Sequence, residues 1–172
     1  MERKKLLVVV DMQNDFIDGA LGTPEAAAVL GKVRARIERA RREGETVVFT
    51  RDTHTANYLK TNEGKRLPVP HCIEGSFGHA LADGLAEEGE RIFDKPTFAS
   101  LALGDFAAAE NFASIELIGV CTDICVLSNA LLLKARCPEA DVIVRADCCA
   151  GVTPERHETA LDAMRACQID IL

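Results

Sequence analysis

The sequence has no tryptophan and a single tyrosine, so few aromatic side chains are left to wall a binding site. It holds no stretch near the roughly 18 apolar residues of a membrane span, and no membrane partner is expected. It also has no basic run long enough for a nucleic-acid arm. The densest one, Arg34 to Arg42, is broken by Glu38 and closed by Glu43, and reads as a solvated helix face. A net charge of -7, from 20 basic and 27 acidic residues, opposes polyanion binding, so no nucleic-acid partner is expected. There is no glycine-rich, lysine-bearing phosphate loop, and no dinucleotide glycine fingerprint follows Asp11. The seven cysteines are odd in number and form no disulfide frame, which suits a reducing cytoplasm. The first apolar run is too short for a signal-peptide core and reads as a strand. No repeat, linker or low-complexity segment divides the 172 residues, and one domain over 1–172 is expected.

What remains is an alternation of strands and helices. Leu6 to Val10 is a continuous apolar run ending at Asp11, the pattern of a strand buried on both faces of a parallel sheet. A polar loop follows from Gln13 to Gly22. Thr23-Pro24 starts a helix whose stripe is Ala26, Leu30, Val33, Ile37 and Ala40, and Gly44 ends it. Thr46–Thr50 is the second strand. Residues 55–90 read as a long functional loop with a short helix over His79–Glu87. Further strands are expected at Arg91–Asp94, Ser114–Val120, Asp141–Ala146 and Ile169–Leu172. Helices are expected at Leu101–Glu110, Ile124–Ala135 and from Thr153-Pro154 to about Cys167. The order predicts an α/β fold: a doubly wound, mainly parallel sheet of five or six strands with helices on both faces.

In such folds ligands lie beyond the carboxyl ends of the strands. Asp11 follows strand one, Asp52 and His54 strand two, Lys95 strand three, Cys121 and Cys125 strand four, and Cys148 and Cys149 strand five. This rim gathers an acid, an amine and a candidate nucleophile. With Thr122 or Asp123 as cap, Cys125 falls in a first helical turn, where free backbone N–H groups favour a thiolate and an oxyanion. Asp11 can take the thiol proton, and Lys95 can hold charge beside both. Asp52-x-His54, with His71 in the next loop and Glu63 between, makes a ligand set suited to zinc, iron or manganese. Cys72 beside His71 is expected to point away from it. Cys148, Cys149 and Cys167 read as packing residues, His79 as flanking a loop helix, and His157 as a surface or interface residue. A redox role fits poorly, because Cys121 and Cys125 lack the two-residue spacing of a helix-start dithiol. A noncatalytic binding protein would not need the acid, amine and thiol together.

Three segments carry a resemblance: Val9-Val10-Asp11-Met12-Gln13-Asn14-Asp15-Phe16, Phe93-Asp94-Lys95, and Gly119-Val120-Cys121-Thr122-Asp123-Ile124-Cys125-Val126. In order and at strand ends, they resemble the motifs of isochorismatase-like cysteine hydrolases, most closely the nicotinamidase branch. The resemblance implies Asp11, Lys95 and Cys125 as the catalytic residues. It implies an oxyanion site built from backbone N–H groups at Cys121 and Cys125, with a cis peptide at Val120-Cys121. It places a divalent metal, zinc or else iron or manganese, on Asp52, His54 and His71, with Glu63 near a fourth position. The implied reaction converts nicotinamide to nicotinate and ammonia through a cysteine thioester; another small amide, carbamoyl compound or ureide is the alternative. Aromatic walls for such a ring would come from Phe16, Tyr58 and Phe77. The resemblance also implies a homo-oligomer, and the apolar helix bearing Ile124, Leu127, Leu131 and Leu132 offers surface for a second copy.

Overall fold

The computed structural model describes residues 4–172. Six strands form one sheet: β1 (Lys5–Val10), β2 (Thr46–Asp52), β3 (Arg91–Lys95), β4 (Ser114–Val120), β5 (Asp141–Ala150) and β6 (Asp170–Ile171). Their order is β3-β2-β1-β4-β5-β6, and every neighbouring pair is parallel. The doubly wound architecture follows from two crossover directions that diverge between β1 and β4.

Alternation along β1 divides its side chains between two cores. Leu7 and Val9 pack with Val33, Ile37 and Ala40 of helix α2 (Pro24–Arg42) and with Phe16 of the short α1 (Asn14–Ile17). Leu6, Val8 and Val10 face the other side, with Leu103 of α4 (Leu101–Glu110), Leu133 of α5 (Leu127–Arg136) and Met164 of α6 (Pro154–Ala166). Thr23 caps α2 by accepting the Ala26 N–H at 3.0 Å, and Gly44 follows its end with φ 73°. Gly119 is needed where β4 meets β1. Its φ is 119°, and a Cβ there would lie 2.1 Å from the Val10 carbonyl oxygen.

Several sequence expectations are corrected. No helix spans His79–Glu87. The segment is irregular, with Gly84 at φ 68°, and α2 holds it through an Arg41 hydrogen bond to the Leu85 carbonyl (2.7 Å). The short helix of this loop lies earlier, as α3 (Asn62–Arg66), preceded by a 3-10 turn at Tyr58–Lys60. The expected loop 13–22 contains α1. The helix expected from Ile124 opens with a π turn over Thr122–Val126, and α5 starts at Leu127. Neither Thr122 nor Asp123 caps it, because both side chains are committed elsewhere. Thr122 pairs with His157 at 2.7 Å, and Asp123 accepts the Val152 N–H at 3.0 Å. Strand β5 runs past Ala146 to include Cys148 and Cys149, which are buried. Cys167 is exposed, because the chain turns there at the end of α6. Beneath β4 lies a buried ion cluster: Arg36 binds Glu45 (2.7 Å) and Glu116 (2.8 Å), and Arg145 binds Glu116 (2.7 Å).

Candidate active site

The carboxyl ends of β1, β2, β3 and β4 meet at the switch point. Asp11 leaves β1 in a left-handed conformation, φ 48°, a sparsely populated state for a residue with a Cβ. Thr50 of β2 secures it by donating its hydroxyl to Asp11 Oδ1 at 2.6 Å. The Lys95 ammonium reaches in from β3. It lies 2.7 Å from Asp11 Oδ2 and 3.5 Å from Asp52 Oδ1, and donates to the Thr97 carbonyl (3.0 Å) and Cys125 Sγ (3.5 Å). The bond from Val120 to Cys121 is cis.

Asp11, Lys95 and Cys125 are all buried, and burial decides their electrostatics. It pushes the Asp11 carboxyl up, against the pull of Lys95. It also pushes the Cys125 thiol well up, and the negative Asp11 adds to this while Lys95 opposes it. Burial thus works against the thiolate that a helix start was expected to favour. Burial disfavours the Lys95 ammonium, but Asp11, Cys125 and Asp52 together outweigh it and raise its pKa. Burial thus favours the protonated thiol, while the three acidic neighbours of Lys95 favour its charged form.

Next to this trio, one side-chain oxygen or nitrogen from each of Asp52, His54, Glu63 and His71 lies within 4.8 Å of all the others. Asp52 Oδ2 is 3.0 Å from His54 Nε2 and 3.4 Å from His71 Nε2. The set fits a divalent ion: two imidazoles, two carboxylates, and a second contact that fixes one ring. His71 Nδ1 lies 2.8 Å from the Val69 carbonyl, a bond that fixes the ring with Nε2 facing the cluster. Burial opposes the Asp52 charge, but bonds from both histidines and the charge of Lys95 hold its carboxyl far below the usual range. Glu63 arrives on α3, whose Gly64 packs against Tyr58 so closely that a Cβ would lie 2.0 Å from the Tyr58 carbonyl oxygen.

A cavity of about 230 Å³ opens between the cluster and Cys125. Phe16, Leu21, Leu67, Phe98 and Ile124 supply its apolar wall, and Cys121 lines it beside Cys125. Of the three aromatic residues expected there, only Phe16 lines it. Phe77 is 81% exposed and lies outside the cavity lining. Tyr58 is buried beneath the imidazoles, with ring centroids 4.7 Å from His54 and 4.9 Å from His71. Its hydroxyl donates to the Leu67 carbonyl, so it supports the ligand loop. Phe98 takes the place expected of Phe77.

Three supporting residues escaped the sequence reading. Buried Gln13 accepts the Asp52 N–H (2.7 Å) and donates to the Asp52 carbonyl (2.9 Å), fixing that ligand's backbone. Asp15 accepts the Cys72 N–H at 2.7 Å and anchors the residue after His71, while Cys72 itself turns into the core. Asn129 donates to the Cys125 and Phe98 carbonyls at 2.8 and 3.1 Å, tying the nucleophile's turn to the cavity wall. The available signal was an amide in the apolar run Val126–Leu133. His79 flanks no helix; its Nε2 lies 2.8 Å from the Thr53 hydroxyl. His157 is half-buried against Thr122.

A buried thiol, a carboxylate and an ammonium within contact of one another, opening on a small apolar cavity, define a cysteine-dependent hydrolase acting on a non-peptide C–N bond. The sequence matches the Isochorismatase domain over residues 5–172, and the chain belongs to that family. It is similar to a pyrazinamidase of Pyrococcus horikoshii solved in complex with zinc, at 29% identity and TM-score 0.88, with 98% of each chain covered. It is also similar to the N-carbamoylsarcosine amidase of Thermoplasma acidophilum, at 29% identity and TM-score 0.82, over 98% of this chain and 95% of that one. Among curated relatives, a streptothricin hydrolase of Streptomyces noursei is 30% identical over 126 residues, 72% of this chain, and the match spans 42% of its length.

Proposed function

We propose that the chain hydrolyses nicotinamide or a close pyridine or pyrazine carboxamide to the acid and ammonia. The observation that carries this reading is that the Asp52, Glu63 and His71 side chains and Cys125 line one cavity of about 230 Å³, below the range of drug-sized pockets. Asp11 accepts the thiol proton as Cys125 Sγ attacks the amide carbon. Backbone N–H groups at Cys121 and Cys125 receive the oxyanion. Asp11 returns its proton to the leaving ammonia and then draws one from the water that opens the thioester. Lys95 remains protonated throughout and offsets each negative charge that forms. Asp52, His54 and His71, with Glu63 near a fourth position, would hold a zinc ion, with iron or manganese as the alternatives, which would supply a Lewis acid able to orient a ring nitrogen. Phe16 and Phe98 bracket the ring.

The zinc-bound pyrazinamidase supports the ligand reading, and seven free cysteines suit a cytoplasmic setting. A homo-oligomer fits Leu131, which is 38% exposed on α5. No described helix is long and apolar enough to cross a membrane. The test is metal analysis of purified protein coupled to ammonia release from nicotinamide, pyrazinamide and aliphatic amides. One ion per chain, with preference for the ring amides that is lost in His54→Ala, is the expected result. Metal-free protein equally active on aliphatic amides would defeat the ring reading and leave the cysteine hydrolase intact. Turnover surviving in Cys125→Ala would remove both.

A further inference from the structure

His157 has no part in the proton transfers, yet its ring reaches the turn that carries the nucleophile. Its Nδ1 lies 2.7 Å from the Thr122 hydroxyl. Thr122 stands directly after Cys121 and three residues before Cys125, between the two residues whose N–H groups would receive the oxyanion. It is fully buried, and a buried hydroxyl must find its partner inside the protein. His157 is that partner.

The ring is itself held from behind. His157 closes the first turn of α6, where its N–H donates to the Thr153 carbonyl at 2.9 Å. Gly151 packs so closely against this turn that a Cβ there would lie 2.8 Å from the His157 backbone nitrogen. The same junction grips the next residue of the nucleophile turn, because Asp123 accepts the Val152 N–H at 3.0 Å. The exposed Arg156, 2.8 Å from Asp123, adds little to that grip. Asn129 holds the far end of the turn through the Cys125 carbonyl at 2.8 Å. Two consecutive residues ahead of the nucleophile are therefore fixed to one closely packed junction, and one of them is fixed by an imidazole.

We infer that His157 is a positioning residue: it fixes Thr122, and through it the backbone N–H groups at Cys121 and Cys125 against the oxyanion. The inference rests on the cysteine hydrolase reading and adds to it a residue that touches neither the substrate nor the reacting atoms. A preorganised donor that drifts stabilises the transition state less while the ground state binds as before, so the effect belongs in kcat. The alternative role for His157 is to stabilise the fold alone. That role would appear in melting and leave the rate per folded molecule unchanged.

Substitutions at both partners and one probe separate these roles. Asparagine places an amide atom where Nδ1 stands, whereas glutamine places one nearer Nε2. In ammonia release from nicotinamide and pyrazinamide, His157→Gln and Thr122→Val should each lower kcat roughly 10–100-fold, with KM changed less than about twofold. The double variant should lose no more than either single one, and His157→Asn should recover most of the rate. Thr122→Val, which keeps the side-chain shape, carries the test if the His157 variants do not fold. Pyridine-3-carbaldehyde reads the oxyanion site without turnover. The Cys125 sulfur bonds to its carbonyl carbon, the carbonyl π pair moves to the oxygen, and the thiol proton passes to that oxygen. Its affinity, measured by calorimetry with Cys125→Ala as the blank, should weaken about tenfold or more in His157→Gln and return in His157→Asn. That pattern supports the inference even if no amide tried is hydrolysed, an outcome that would count against the amide reading alone. Folded His157→Gln with wild-type kcat and aldehyde affinity overturns it, whatever its Tm. So does a loss carried by KM alone, or an equal loss in His157→Asn and His157→Gln. Wild type inert toward amides and aldehyde alike overturns both readings.

Discussion

Replacing Lys95 with methionine should unfold the protein more readily as well as silence it. Lys95 is 1% exposed, and its ammonium is the counter-charge for two carboxylates at 2.7 and 3.5 Å. Methionine fills much of the volume but leaves Asp11 and Asp52 without that cation. Removing one partner of a buried pair costs about 3–5 kcal/mol. That is a large share of the roughly 5–15 kcal/mol that holds a domain together. At about 2–4 °C per kcal/mol for a chain of this size, Tm should fall by roughly 6–20 °C. The control is Cys125→Ala, which leaves the ion pair in place and should cost only about 1 kcal/mol for the small void. Scanning calorimetry and urea unfolding of both variants, each stripped with a chelator so that metal binding does not differ, measure the contrast. A Lys95→Met protein that melts with wild type would refute the reasoning, because the carboxylates would then have found solvent or another partner.

Glu116→Gln tests the charge cluster beneath β4. Burial would raise the Glu116 pKa, but Arg145 and Arg36 lower it further than burial raises it. A depressed folded-state pKa gives stability that is present above the ordinary carboxylate value and lost as pH falls through the lower one. The variant should therefore trail wild type by about 2–3 kcal/mol at pH 7, and urea unfolding should show the gap closing below about pH 4. A gap independent of pH would dismiss the charge as its source. Gly119→Ala should lose about 3 kcal/mol or more, or fail to fold, since its new methyl meets the Val10 carbonyl at 2.1 Å; unchanged circular dichroism and melting would contradict the packing. Light scattering should find an assembly larger than one chain, and a single-chain mass across a wide concentration range would defeat that proposal.

The sheet was legible because β1, β2 and β4 are apolar runs that end abruptly in chemistry-bearing residues. Buried parallel strands produce that pattern directly. The candidate acid, amine, thiol and ligands were legible for the same reason, since each is the first reactive residue past a strand or in the loop behind one. What was hidden depends on distant contacts. Phe98 and Phe77 look alike in sequence, whereas in the fold Phe98 lines the cavity and its carbonyl accepts from Asn129. The loop after Gly78 carries helix-forming residues, but Gly84 at φ 68° and the Arg41 bond to the Leu85 carbonyl belong to an irregular path that local propensity does not reveal. The raised Cys125 pKa was hidden because local sequence shows a helix start and says nothing of depth.

No two members of the Asp11, Lys95 and Cys125 trio come from neighbouring elements of the chain. Cys125 touches an amine 30 positions away, and Asp11 is pinned by a hydroxyl 39 positions away. Such closures are slow, because each must gather a long loop before any contact rewards it. Helix α2 and the local turns can form early, while the thiol, carboxylate and ammonium meet only after β4 has docked between β1 and β5. In a refolding experiment, recovery of amide turnover should therefore lag behind recovery of helical circular dichroism, making enzymatic activity a clock for the final docking of the sheet.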